Sequence, residues 1–495
     1  MKKKLIYGMM LTSMFFLGCN DEFLEGEQTN VLTSETIADH SDNYPALLEG
    51  SLNGITSFII EPFAVTGTRH FDFGQKAVDI WMDMTCGDMA LSTSAYGWYN
   101  DAANLIAPVD FTQEENEIIW IYYYRIISVA NTVISSIGGN DVVPENDESK
   151  RILGQAKTYR AYAYFYLLQL YQRSYDPAQE VLPFYNIDTF SLAKVPAGDI
   201  YDQVVSDLTH AIELLDGYTR SAKNLIDKTV AQGFLAYTYA AMGMYPEAKV
   251  QADNLISAYS PTTAGQLVFP GAGSGFNDVN TASWIWGYDL TEDLGHQLID
   301  WWGQVDPFTY SYAWAGDSKS IDDLLYSQIP EGDVRKDQFA TATGALQPIN
   351  KFFDPGRTIG GQYIITTDLI HMRVEEFILL SAESAAKSGA AGGEATAKAM
   401  MIDFLTPRVG AAEASATITP LSGQALLDEI YLQTRIELWG EGKSYLAMKR
   451  NQATVTRGTN HVYRSGESFA YDSDEMSFQI PEVEIINNGL INGQN

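Results

Sequence analysis

Two groups of aromatic side chains lie in sequence with no helical period. The first is Tyr96-Gly97-Trp98-Tyr99-Asn100-Asp101. The second starts at Trp284, Trp286 and Tyr288, continues through Trp301-Trp302-Gly303-Gln304, and ends with Tyr310, Tyr312 and Trp314. Flat rings beside Asn, Asp and Gln suit one chemistry. The apolar C–H face of a sugar rests on a ring while amides and carboxylates bond its hydroxyl rim. Each stacked pair contributes about 0.5–1.5 kcal/mol beyond area. Three such contacts with hydrogen bonds suit binding of about 4–8 kcal/mol, a millimolar to micromolar range. The candidate binding set is Tyr96, Trp98, Asn100, Trp286, Trp301, Trp302, Tyr310 and Trp314. Core packing competes for the same rings. Ser283-Trp284-Ile285-Trp286 reads as a strand with one face buried, which favours Trp284 as core. Trp301 and Trp302 are adjacent, so one is expected to face inward and one outward.

Other constellations point less clearly to chemistry. His371 and Glu375 have the i, i+4 spacing that could place two metal ligands on one helix face, but no third ligand presents itself. Glu437 and Glu441 are one turn apart, as a glycosidase carboxylate pair could be. Asp472, Asp474 and Glu475 could offer hard oxygens to Ca²⁺, although a solvated acidic loop reads more simply. Gly271-Ala272-Gly273-Ser274-Gly275 has no following Lys and is not a phosphate loop. The expectation is therefore no catalytic residue, no metal and no cofactor.

Elements must hold the rings in place. Helical periodicity covers 117–137, 150–172 and 197–215, the last with Val204, Leu208, Ala211, Leu214 and Leu215 on one face. Ala156, Ala161 and Ala163 among Tyr159, Tyr162, Tyr164, Phe165 and Tyr166 would let helices approach closely. Leu235, Ala236, Tyr239, Gly243, Tyr245 and Ala248 fall at the spacings of a tetratricopeptide repeat, an αα-hairpin with a Gly turn. A stack of such hairpins follows. Residues 260–365 are rich in Gly, Pro, Ser, Thr and aromatics and read as a loop-rich excursion. Helix returns over 368–387, 395–405 and 424–449, and 478–495 reads as a closing tail.

The start of the chain sets the compartment. Lys2, Lys3 and Lys4 precede an apolar stretch of signal-peptide length, and Leu17-Gly18-Cys19 has the form of a lipoprotein cleavage site. Residues 1–18 are expected to be a signal peptide, Cys19 to carry lipid, 19–40 to be a tether, and 41–495 to be a single domain. Lipid would hold the mature chain on a membrane without a spanning helix. With Cys19 lipidated, Cys86 is left alone and reads as a buried small residue. The formal net charge of −32 disfavours nucleic acid, anionic lipid and polyanionic ligands.

Five groups of segments stand in order along the chain: Cys19-Asn20-Asp21-Glu22-Phe23-Leu24; Ala156-Lys157-Thr158-Tyr159-Arg160-Ala161-Tyr162-Ala163-Tyr164-Phe165 with Leu182-Pro183; Arg373 to Glu383; Arg435 to Lys443 with Met448-Lys449-Arg450; and Ile480 to Ile485 with Asn487 and Gln494-Asn495. Together they resemble the SusD/RagB family, the starch-utilisation-type nutrient-binding lipoproteins of Bacteroidota. Ser381 and Trp439-Gly440 depart from the usual frame residues. The resemblance implies a mainly α fold: a right-handed superhelix of tetratricopeptide-like hairpins with a loop-rich ligand-binding part. It implies a cell-surface outer-membrane lipoprotein that captures glycan as a lid on a TonB-dependent, SusC-like transporter. It also makes Glu437 and Glu441 frame residues, salt-bridged to Arg435, Lys443 or Arg450. A peptide-binding lid of the same architecture, a surface glycoside hydrolase and a protein-binding scaffold are the competing readings.

Overall fold

Small residues at helix crossings build the frame, as the alanine spacing suggests. The computed structural model describes residues 45–308, 310–339, 345–356, 358 and 363–495. The expected signal segment, Cys19, the expected tether and the start of the expected domain, residues 1–44, lie outside them. In chain order the frame begins with α1 (Pro45–Phe58), α2 (Gln75–Thr85), β1 (Met89–Leu91) and α3 (Asn100–Ala103). It continues with α4 (Glu114–Ile137), α5 (Asp147–Tyr171), the hairpin β2 (Glu180–Tyr185) and β3 (Phe190–Pro196), α6 (Ala197–Leu214), α7 (Lys228–Ala241) and α8 (Tyr245–Ile256). Each helix from α4 to α8 packs on the next. Ala156, Ala161 and Ala163 are buried in α5. A Cβ on Gly154 would sit 2.7 Å from Leu215 Cγ, which shows how closely α5 and the end of α6 approach. The α7–α8 pair forms the expected hairpin, with Ala236 and Ala248 buried and Gly243 turning at φ +75°. Cys86 is buried.

The chain then leaves the frame. The excursion holds α9 (Ala264–Leu267), β4 (Trp284–Tyr288), α10 (Trp301–Val305), α11 (Tyr312–Ala315), β5 (Lys319–Ile321) and α12 (Asp323–Ser327). It returns through β6 (Leu369–Arg373), antiparallel to β4, into α13 (Val374–Lys387). Helix α13 packs on α8, so the stack closes behind the excursion. After it come α14 (Gly393–Val409), α15 (Ala411–Ile418), α16 (Gln424–Glu437), α17 (Ser444–Asn451), the pair β7 (Thr454–Thr456) and β8 (Ser468–Ala470), and α18 (Glu482–Asn487). The fold is mainly helical, a tetratricopeptide-like superhelix carrying an irregular excursion.

Two helix expectations are corrected. Residues 368–387 are strand then helix, because Leu369–Arg373 pairs with β4 before α13 begins. His371 thus lies in a buried strand, and the i, i+4 helix face it would share with Glu375 does not exist. Residues 424–449 are two helices, broken where Gly440 (φ +79°) and Gly442 (φ +73°) take left-handed backbone. A Cβ on Gly442 would lie 2.5 Å from Asp79 Oδ1. Gly442→Ala is therefore expected to cost at least about 2 kcal/mol, measured as a lower urea midpoint.

Buried charge ties the excursion to the frame. Arg373 donates to Glu441 Oε2 at 2.7 Å and Glu437 Oε1 at 2.9 Å. Arg408 Nη2 reaches Glu437 Oε1 at 2.8 Å, and Arg335 Nη1 reaches Glu437 Oε2 at 3.2 Å. Lys351 reaches Glu441 at 2.9 Å. The partners of Glu437 and Glu441 are therefore not Arg435, Lys443 or Arg450, the expected ones. Arg435 instead pairs with Asp88 at 2.6 Å, and Arg450 with Glu383 at 3.1 Å. Since Arg335 and Lys351 belong to the excursion, this network fixes its base.

Candidate functional site

Two loops meet because two short strands pair. β1 and β5 run antiparallel with Met89 opposite Ile321 and Leu91 opposite Lys319. The chain leaving β1 and the chain entering β5 must then emerge at the same end. The contact continues past the strands. Ser92 N donates to Ser318 O at 2.9 Å, and Thr93 Oγ1 to Gly316 O at 2.8 Å. Asp317 Oδ1 accepts the backbone N–H groups of Ala95 at 2.5 Å and Tyr96 at 2.8 Å. One buried carboxylate thus holds the loop that carries Tyr96 and Trp98 against the loop that carries Tyr310 to Trp314. Ser311 caps α11 through Trp314 N at 3.0 Å, and Gly316 ends it at φ +113°.

The rings fall into two neighbouring groups, one around Tyr312 and one around Tyr310. Tyr96 lies edge-on to Tyr312 with centroids 5.4 Å apart, and Trp98 edge-on to Tyr312 at 6.3 Å. Tyr310 lies 6.3 Å from Trp314 and 4.6 Å from Tyr363. Tyr96, Trp314 and Tyr363 are 62%, 53% and 59% exposed, and Tyr310 is 39% exposed. These rings touch one another yet leave much of their surface to solvent, which core packing alone does not require. Trp98 is half-buried. One face of its indole is covered by His70, stacked at 4.5 Å and 15°.

The support beneath the rings is specific. His70 Nδ1 hydrogen-bonds Tyr312 Oη. Gln304 Nε2 donates to the His70 carbonyl at 2.9 Å, and Lys319 Nζ donates to Gln304 Oε1 at 3.0 Å. Burial lowers the His70 imidazole below its ordinary value and pulls the Lys319 ammonium down to about 7. Asn100 opens α3, accepts from Ser94 Oγ at 2.7 Å, and braces the loop against Gly97. His70→Ala is expected to weaken ligand binding by about 0.5–1 kcal/mol through loss of the stacked support, read by titration calorimetry with little change in melting.

The structure divides the eight expected binding residues. Tyr96, Trp98, Asn100, Tyr310 and Trp314 fall in this region. Trp286, Trp301 and Trp302 do not offer a face to a ligand, a correction to the sequence reading. Trp286 packs edge-on to Tyr162 and Phe234 and donates to Asn224 O at 3.1 Å. Trp301 and Trp302 are both buried, so neither is the outward member of the pair. They stand at 88° to each other around Phe352, and Trp302 donates to Asp368 O at 3.1 Å. His70, Tyr312 and Tyr363 were not singled out. Tyr312 sat in the aromatic run, but nothing in the sequence linked His70 to Trp98.

The other candidates are accounted for. Glu437 and Glu441 are buried in ion pairs with Arg335, Arg373, Arg408 and Lys351. Asp474 pairs with Arg173 at 2.7 Å and Glu475 with Arg464 at 3.6 Å. Among the described residues no group of three or more His, Cys, Asp or Glu is arranged to hold a metal ion.

A helical-repeat frame joined to an irregular excursion, with exposed rings on two loops where they meet, defines the class by its fold. Known proteins narrow it. Residues 67–240 match a family model described as SusD-like, "starch-binding associating with outer membrane". Residues 297–489 match the model of the SusD family. The structure is similar to a SusD-like carbohydrate-binding protein of Bacteroides vulgatus, with a TM-score of 0.75 and 25% identity over 90% of this chain and 97% of that one. It shares its fold with surface glycan-binding protein A of Bacteroides thetaiotaomicron, solved with laminarihexaose, at a TM-score of 0.64 and 15% identity over 91% and 99%. SusD-like protein P2 of Formosa agariphila is 30% identical over 140 residues, 28% of this chain and 26% of that protein, so the match spans about a quarter of that relative's length. The chain belongs to the SusD/RagB family.

Proposed function

We propose that this chain is a cell-surface lipoprotein that binds neutral glycan on the Tyr96–Trp98–Tyr310–Trp314 platform and delivers it to a TonB-dependent outer-membrane transporter, without catalysis. The observation that carries this reading is the gathering of exposed rings from two loops at one end of the β1–β5 pair. Sugar C–H faces suit such rings, and Asn100 supplies an amide at the edge. The relatives named as carbohydrate- or glycan-binding support the same ligand class. Lipid on Cys19 is the anchor in this reading, and the acidic Asn20-Asp21-Glu22 that follows fits export to the outer face. The candidate carboxylate pair Glu437 and Glu441 is neutralised by Arg373, Arg408 and Lys351, which leaves it unsuited to proton transfer.

Affinity electrophoresis of the mature chain against a polysaccharide panel tests the ligand class. Retardation by at least one neutral polysaccharide is expected. Retention on peptides with no retardation by any glycan would replace this reading with the peptide-binding one. Co-purification from outer membranes with a TonB-dependent barrel tests the partner.

A further inference from the structure

A cavity of about 230 Å³ lies where the end of α5, the α7–α8 turn and α17 meet. It shares no lining residue with the aromatic platform. Its volume falls below the range of about 300–1,000 Å³ that holds drug-sized ligands, so it has room for one ring and not for a chain.

The charges around it select against ions. Lys449 directs its ammonium at the carbonyls of Gln169 and Gln172, 2.6 Å each, and at Ser477 Oγ, 3.1 Å. Those carbonyls end α5, where a helix presents its negative pole, so the lysine completes the frame and has no hydrogen left for an anion. Arg450 is held by Glu383 at 3.1 Å. Among the described residues no Asp or Glu lines the cavity, so a cation meets no counter-charge.

What remains is hydroxyl, amide and ring. Tyr175 and Tyr201 stand edge-to-face at 5.0 Å and 90°. Tyr201 Oη accepts from Gln169 Nε2 at 2.9 Å, which leaves its own hydrogen to donate. Gln452 and Tyr471 complete the polar wall. We infer that this cavity binds one neutral, hydroxyl-rich ring of hexopyranose size, separately from the platform.

The test is saturation-transfer NMR on the mature chain with D-glucose, D-galactose, D-mannose, D-glucuronate and D-glucosamine at millimolar concentration. At least one neutral hexose is expected to bind and to outcompete the two charged sugars. Tyr175→Ala, at a partly exposed ring, should weaken that binding at least tenfold, and Gln452→Gly, which keeps the left-handed backbone of that position (φ +50°), should weaken it too. No hexose binding, preference for a charged sugar, or hexose binding that survives both cavity variants would overturn the inference. Polysaccharide retardation depends on the platform and is read separately, so failure of one reading is distinguishable from failure of the other.

Discussion

Replacing Glu437 with alanine is expected to remove about 3–5 kcal/mol of folding stability, seen as a large fall in the urea midpoint. Glu437 accepts from Arg373, Arg408 and Arg335, and all four side chains are buried. Removing the carboxylate leaves buried guanidinium groups short of counter-charge, which costs far more than an exposed pair would. Burial alone would raise the Glu437 carboxyl, but Arg408 and Arg373 outweigh it and hold it well below the ordinary carboxylate range. A carboxyl depressed in the folded state contributes stability above its unfolded value near 4.5 and loses that contribution as pH falls below it. Glu383, held at about 2 against burial by Arg450 and Lys387, acts in the same direction. The wild-type chain should therefore weaken steeply below pH 4.5. The Glu437→Ala variant should show a shallower acid limb. Equal acid slopes for the two proteins would mean that Glu437 is not held ionised by its arginines.

Trp98→Ala is expected to weaken glycan binding about tenfold, or about 1.4 kcal/mol. Because Trp98 is half-buried against His70 and Phe71, some loss of melting temperature accompanies the change. Trp314→Ala separates the two effects. Trp314 is more exposed, so its removal should reduce binding with almost no change in melting. If Trp98→Ala lowers melting strongly and leaves retardation unaltered, the indole is a packing residue and the platform lies elsewhere.

The frame was legible because its signals are local. Alanines at helix crossings, the Gly243 turn and the ordered family segments lie within short windows, and each maps to one helix pair. The helix breaks were less visible. Strand β6 continues an apolar pattern into α13, and only its pairing with β4 shows where extended chain ends. Gly440 and Gly442 could have flagged the break between α16 and α17. The site was half legible. The loop around Trp98 and the Tyr310–Trp314 run have Gly and polar neighbours, which fits exposure. Trp286, Trp301 and Trp302 carry a similar composition, but their burial depends on Phe234, Phe352 and Asp368, distant in sequence. The partners of Glu437 were misassigned for the same reason: the expected cations were neighbours in the chain, whereas the observed ones arrive from β6, α14 and the excursion.

The platform's construction has a consequence for how the chain acquires it. The bond from Ala95 to Asp317 joins positions 222 apart in sequence, and the strands beneath it are three residues long. Contacts so distant along the chain form slowly, because a long loop must close before little is gained. Neighbouring helices of the stack need no such closure. During refolding, helical circular dichroism should recover ahead of the fluorescence of Trp98, whose surroundings are complete only once the two loops have met. Partly folded molecules would then possess the scaffold while being unable to hold ligand.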